Sequence, residues 1–395
     1  MEKFTYDLFL QEMTENILPF WMNMIDCENG GFYGEADFYG NPLKNANKGG
    51  ILCSRILWSF SAAYRMVKNK AYLDMASYAK DFLLNHFIDR DFGGVYWETD
   101  CYGNVVDSKK HFYNTAFAIY GLSEYYLATG EKGCLDILKD LYDYLEHHAL
   151  DKEYGGYYEA VSRDNSPLAD VALSKKDLNC PKTMNTNLHI LEAYTNLYRA
   201  MKSDTLKISI RNLIDVFLNK ILDGDSYHLM LYFSNDWEKL SGKISFGHDI
   251  ETSWLLLEAA EAIKDDGMIH KVQEYSAKIS EAVLMEGIDR KFGGLHDAKL
   301  ENGRFIEYKE WWVQAEAVVG FYNAYELTKD EKFQNISRGI WNYIQDVFVD
   351  KLHGEWHGEV LNYNIVDKRV PKVSGWKCPY HNTRMCIEMM KRLRR

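Results

Sequence analysis

The sequence predicts an all-α fold, a closed (α/α)6 barrel, from three observations. A Gly-Gly phrase followed by aromatic or β-type residues recurs at roughly 60-residue intervals. An amphipathic helix precedes each copy, and an almost wholly apolar helix follows it. The copies stand at Gly30-Gly31, Gly93-Gly94, Gly155-Gly156 and Gly293-Gly294, with a degenerate fifth at Gly354-Glu355. The double-length gap before Gly293 is filled by Tyr227-His228, which lacks the glycines. Six units therefore tile the chain, each burying one face against its neighbours.

The elements of a unit follow in a fixed order. The helix ahead of a phrase has one wet face, as Phe333, Ile336, Ile340, Ile344, Val347 and Phe348 show, or Val272, Tyr275, Ile279, Ala282 and Val283. It belongs on the outside. The phrase leads into a short polar hairpin such as TDCYGN or DAKLENG. The next helix, TAFAIYGLSEYYLA in the second unit and WVQAEAVVGFYNAYEL in the fifth, is apolar nearly all round and must be buried. Six wet helices alternating with six buried ones describe a double-layered ring, one domain over residues 1–395 with short β-hairpins on one rim. The alternative, an open solenoid, wants polar caps at both ends, and here the first and last units look like the middle ones.

Composition narrows the function. With 47% hydrophobic and 26% charged residues, the chain has the make-up of a soluble globular protein. Its net charge of −12 repels phosphate backbones and anionic lipid, so neither nucleic acid nor membrane is an expected partner. No stretch approaches the roughly 18 uncharged apolar residues of a span, and the start, MEKFTYDLFLQEMTEN, has acids where a signal peptide needs an apolar core. A cytoplasmic location is expected. Seven cysteines without a C-x-x-C spacing read as free thiols. Aromatic residues reach 14%, which suggests stacking surfaces as well as core.

In a closed ring the hairpins share one rim, and the first turns of the inner helices face it. Those turns carry Arg55; Tyr113 and Asn114; Asn185 and His189; His248, Asp249 and Glu251; Glu310, Trp311 and Trp312; and Trp376, His381 and Arg384. Three histidines at equivalent repeat positions, converging with an arginine, point to a site. His147, His148 and His86 end outer helices, where a cation suits the dipole. The histidine spacing offers no H-x-x-x-H pair, so no metal is expected. There is no nucleophile elbow and no Gly-rich phosphate loop. Glycoside hydrolysis needs two opposed carboxylates, for which Glu251, Asp249 and Glu310 are candidates. Neutral imidazoles at helix N-termini suit removal and return of a proton at carbon, through an enediolate that Arg55 would hold, with Trp311, Trp312 and Trp376 offering flat faces to sugar rings.

The stretches SRILWSFS, MNTNLHILEAYTNLYR, FGHDIETSWLLLEAAE, KEWWVQAEAVVGFYNAY and GWKCPYHNTRMCIE resemble the N-acylglucosamine 2-epimerase superfamily, and within it the cellobiose 2-epimerases most closely. The resemblance covers essentially the whole chain. It implies an (α/α)6 barrel that inverts C2 of the reducing-end glucose of β-1,4-linked disaccharides such as cellobiose, lactose or mannobiose, without a cofactor, in a monomer or weak homodimer. It also implies that His248 and His381 are the acid/base pair, His189 the third site histidine and Arg55 the substrate arginine. Tyr113, Asn185, Glu251, Trp311, Trp312 and Trp376 match positions that shape the pocket. Relatives include aldose–ketose isomerases with the same histidines, so an isomerase is the nearest alternative. An N-acylglucosamine epimerase or an (α/α)6 glycoside hydrolase stands further off.

Overall fold

The computed structural model describes residues 4–394. The chain alternates between outer and inner helices, beginning outside with α1 (Tyr6–Gln11), a π-helical segment Glu12–Ile17 and α2 (Leu18–Met22). Then come α3 (Gly50–Val67), α4 (Lys70–His86), α5 (Phe112–Thr129), α6 (Gly133–His148), α7 (Met184–Ala200), α8 (Asp204–Val216), α9 (Phe246–Ile263), α10 (Asp266–Glu286), α11 (Trp311–Thr328), α12 (Glu331–Tyr343) and α13 (Tyr380–Leu393). The odd-numbered helices from α3 to α13 form the inner wall. Each packs on the next, and α13 packs back on α3, which closes the ring and removes the solenoid alternative.

Inner helices come close because small residues face each other. A side chain at Gly121 of α5 would have its Cβ 2.6 Å from the Ser54 carbonyl of α3. The inner helices are buried almost throughout, as expected of their apolar sequences. The outer helices bury one stripe, for example Phe333, Ile340 and Trp341 in α12.

The rim is stitched in the same cyclic order. The strand ahead of each inner helix pairs with the hairpin of the following unit: Lys48 with Thr99, Lys110 with Val161, Lys182 with Phe233, Ile244 with Lys299 and Tyr308 with Leu361. A bridge between Ala36 and Val373 joins the sixth unit to the first. Beneath the rim, five units share a buried clip. The aspartate four residues before the first glycine caps its own turn and takes the ammonium of a lysine near the inner helix, at 2.7 Å for Asp26–Lys48, 2.8 Å for Asp89–Lys110 and 2.7 Å for Asp289–Lys309. That ammonium also donates to the glycine carbonyl, at 2.6 Å for Gly93. Glycine is needed at the second position of the second unit's phrase because Gly94 has φ +71° and a Cβ there would lie 2.7 Å from the Tyr144 ring, whereas Glu355 holds the same position in the sixth unit at φ +63°. The fourth unit lacks both glycines and lysine. There His228 meets Asp249 instead, Nδ1 to Oδ2 at 2.7 Å.

All seven cysteines are unpaired, as expected. Among the described residues, no helix is long and apolar enough to cross a membrane.

Candidate active site

The inner helices deliver their N-terminal turns to the rim, so their positive dipole ends point at the space the hairpins enclose. Each helix supplies one side chain: Arg55 from α3, Tyr113 from α5, His189 from α7, His248 from α9, Trp312 from α11 and His381 from α13. The Arg55 guanidinium donates to the Tyr113 hydroxyl at 2.8 Å and lies over the Phe117 ring at 4.2 Å. Tyr113 and Phe117 each place a ring about 5 Å from the His189 imidazole. Trp312 sits between the other two histidines, its centroid 4.8 Å from His248 and 5.4 Å from His381.

What holds the imidazoles lies one turn deeper. His189 Nδ1 donates to Glu192 at 2.8 Å and His381 Nδ1 donates to Glu316 at 2.8 Å. A carboxylate on Nδ1 fixes the proton there and leaves the Nε2 lone pair for chemistry. Arg384 locks both carboxylates, donating to Glu316 at 2.7 Å, to Glu192 and to Glu251. Tyr380 adds its hydroxyl to Glu192, and Trp254 its N–H to Glu316 at 3.2 Å. His248 differs, because its Nδ1 meets only the Ser245 hydroxyl at 2.7 Å, which can give or take the proton.

The electrostatics keep the His248 and His381 imidazoles neutral. Burial, then His189 and Lys243, lower His248 to about 3. Burial, then Arg55 and Arg384, hold His381 well below the ordinary imidazole value. Burial alone would raise Glu192, yet Arg384, His189 and Tyr380 outweigh it and bring that carboxyl to about 2. Burial and the neighbouring Glu316 raise Glu251 to about 7.

The structure gathers most of the expected site residues and moves three. Glu251, expected to shape the pocket, is fully buried on Arg384 beneath it. Trp311 is also buried, with the Lys377 ammonium 5.0 Å over its ring, so only Trp312 of the pair adjoins the histidines. Trp376 precedes α13 by four residues instead of opening it, and stands exposed on the rim. There it forms an aromatic platform with Trp97 at 6.3 Å and Tyr113 at 6.1 Å, beside a cavity of about 440 Å³ that Glu35, Asn47 and Glu98 also line. Asn185 is half-buried on the first turn of α7, its Oδ1 without a partner. The three carboxylates expected to serve hydrolysis are each engaged with a neighbouring side chain. Asp249 is buried on His228, Glu251 lies on Arg384, and Glu310 accepts from the Trp312 indole at 2.5 Å.

Glu251, Glu316 and His381 place one ligand atom each within 4.8 Å of one another, a spacing that suits a metal ion. The Arg384 guanidinium bridges both carboxylates and already supplies the positive charge there.

Residues 31–383 match the N-acylglucosamine 2-epimerase (GlcNAc 2-epimerase) family. The chain belongs to this family. It is 44% identical over 381 residues to a cellobiose 2-epimerase of Bacteroides fragilis, covering 96% of this chain and 97% of that protein. A cellobiose 2-epimerase of Ruminococcus albus is 41% identical, with 97% of each chain covered. The solved cellobiose 2-epimerase of Bacillus thermoamylovorans superposes with a TM-score of 0.93 at 41% identity, covering 98% of this chain and 99% of that one. Within the N-acylglucosamine 2-epimerase family the chain is thus a carbohydrate epimerase of the isomerase class, built as an (α/α)6 barrel.

The sequence reading missed Glu192, Glu316, Phe117 and Trp97. A signal existed for the glutamates: a lone charge inside an all-apolar buried helix has to be paired.

Proposed function

We propose that the protein inverts C2 of the reducing-end glucose of a β-1,4-linked disaccharide, with cellobiose the first substrate to try and lactose and mannobiose close behind. The observation that carries this reading is the pair of neutral imidazoles, His248 and His381, flanking one indole beside Arg55. The identity to cellobiose 2-epimerases supports the choice of sugar.

The sugar ring opens to the aldehyde. One imidazole takes the C2 proton on its lone pair, and the C–H electrons move into the C1 carbonyl to give a cis-enediolate. Arg55 holds its oxygens as a fixed donor, with His189 placed beside them. The imidazole on the other side takes a proton from water and delivers it to the opposite face of C2, the first imidazole releases its proton to water, and the aldehyde re-forms with inverted configuration. The balance closes with no redox change, so the reaction asks for no cofactor. Trp312 gives the flat face against which the reacting sugar lies, and the Trp376, Trp97 and Tyr113 platform receives the second sugar ring. Return of the proton to C1 would give a ketose, which separates the isomerase reading.

Incubation with cellobiose in heavy water tests the proposal. The expected product is glucosyl-mannose carrying deuterium at C2. Deuterium at C1 in a ketose product would make the protein an isomerase, and release of glucose would make it a hydrolase.

A further inference from the structure

The two units that flank α9 hold the heads of their inner helices in the same way. The fourth residue of α7, Asn187, accepts from the Tyr157 N–H at 2.9 Å and donates to the Tyr157 carbonyl at 3.2 Å. The fourth residue of α11, Gln314, does the same to Leu295, at 2.8 Å in both directions. Tyr157 and Leu295 directly follow the Gly-Gly phrase, so a neutral amide ties each helix head to its hairpin. Helix α9 departs from this. Its fourth residue is Asp249, which accepts from the Leu229 N–H at 2.8 Å but, as a carboxylate, has no hydrogen to give back. Its other oxygen takes the Nδ1–H of His228 at 2.7 Å, and His228 stands where Gly156 and Gly294 stand in the flanking units.

The exchange puts a charge where the neighbours have none. Asp249 is fully buried and His228 is 3% exposed, and a buried carboxylate is costly without a cation. The groups around the imidazole favour that cation. Asp249 of α9 lies at Nδ1, Glu286 at the end of α10 lies 3.6 Å from Nε2, and Lys299 of the next hairpin is bound to Glu286 at 2.9 Å. Asp223, in the same turn as His228, caps the N–H groups of Asp225 and Ser226, and the Phe246 ring meets the imidazole edge-on at 5.7 Å. An imidazolium carries a hydrogen on each nitrogen, which suits a carboxylate on either side. Burial alone would lower His228, yet Asp249 and Glu286 outweigh it and raise it above the ordinary imidazole value.

His248 immediately precedes Asp249, and it lacks the carboxylate that fixes the rings of His189 and His381. Its place therefore depends on how the helix head is held. That head has little room, since a Cβ at Gly247 would lie 2.7 Å from the Trp312 ring. We propose that His228, as an imidazolium between Asp249 and Glu286, is a positioning residue: it neutralises Asp249, so that the carboxylate ties α9 to its hairpin and holds His248 against Trp312. The proposal rests on the reading of His248 as a base, but the state of the His228 ring can be read without turnover.

With isotope-labelled histidine, NMR should show His228 protonated on both nitrogens at neutral pH. Asp249→Asn should lower its titration by about one to two pH units, the worth of a hydrogen bond to a charged group. The cation persists below the pKa and is lost as pH rises through it, so kcat for cellobiose should fall on the alkaline side along the same titration. His228→Leu should lower kcat by about tenfold to a hundredfold with KM nearly unchanged, as for a misplaced catalytic group. The double variant His228→Leu/Asp249→Asn gives α9 the amide of its neighbours, so it should recover to within about threefold of the wild type and lose the alkaline limb. A His228 ring that is neutral at neutral pH would overturn the proposal. So would a double variant with a wild-type melting curve that stays as slow as His228→Leu. If His228→Leu does not fold, the ring titration and the kcat profile of Asp249→Asn decide, and an alkaline limb unchanged in Asp249→Asn would overturn the role. A wild type that converts no cellobiose while the ring titrates as expected would overturn the epimerase reading and leave the ion pair standing.

Discussion

On the α13 wall of the cavity His381 rests on Glu316, which is itself held by Arg384 and the Trp254 indole. On the α9 wall His248 has the Ser245 hydroxyl and nothing else on Nδ1. The two residues stand at the heads of inner helices in the fourth and sixth repeats and adjoin the same tryptophan, yet one has a fixed tautomer and the other does not. A carboxylate on Nδ1 stabilises the imidazolium that forms when Nε2 takes a proton. A hydroxyl leaves the ring able to arrive in either state. The difference teaches that the repeat sets two imidazoles in unequal surroundings from one structural template, which suits the proposed mechanism, in which a proton is taken on one face and delivered on the other.

Replacing either base should have the largest effect. His381→Asn and His248→Asn should each cut epimerisation by roughly two to four decades. In heavy water the two variants should still wash deuterium into C2 of different epimers, read by NMR, and equal exchange into both would break the two-wall picture. Glu316→Gln comes next, with kcat down by about one to two decades because His381 loses its fixed proton, whereas Ser245→Ala should cost less than about tenfold. Equal losses would mean that the walls are equivalent. Trp376→Ala lies outside both walls, so it should act on KM, by about 1–3 kcal/mol as for other ring stacking, with kcat nearly unchanged.

The smallest effect is a shift on the pH axis. A base works in its neutral form, which persists above its pKa and is lost as pH falls through it. With His248 at about 3 and His381 far below the usual imidazole value, the acid limb of kcat/KM should lie below pH 6. A step near 7 that disappears in Glu251→Gln would report the buried carboxyl at about 7 and not the histidines.

How far the sequence reaches can be seen in these same residues. The ring was legible because a repeat places unlike units in like positions, so Arg55, His189, His248 and His381 could be placed at the heads of the apolar helices that follow each hairpin. The supporting layer was not. Glu192 and Arg384 follow their histidines by three residues, one helical turn inward, and Glu316 comes from a neighbouring helix. Only the packed ring shows that Arg384 joins three glutamates from α7, α9 and α11. The same limit explains Trp311 and Trp312, adjacent in sequence and about 100° apart on a helix, so that one enters the wall and the other the cavity. The clip lysines were equally hidden, since Asp26 and Lys48 are joined through space and not by a motif.

The Ala36–Val373 bridge and the contact of α13 with α3 leave this repeat protein without an end. In an open array a terminal repeat can peel away by giving up one interface, so such arrays fray from their tips. Here any unit that opens must break an interface on both sides at once. Partial unfolding is therefore penalised twice, and amide hydrogen exchange should show all six inner helices protected to a similar degree, with no gradient from either terminus.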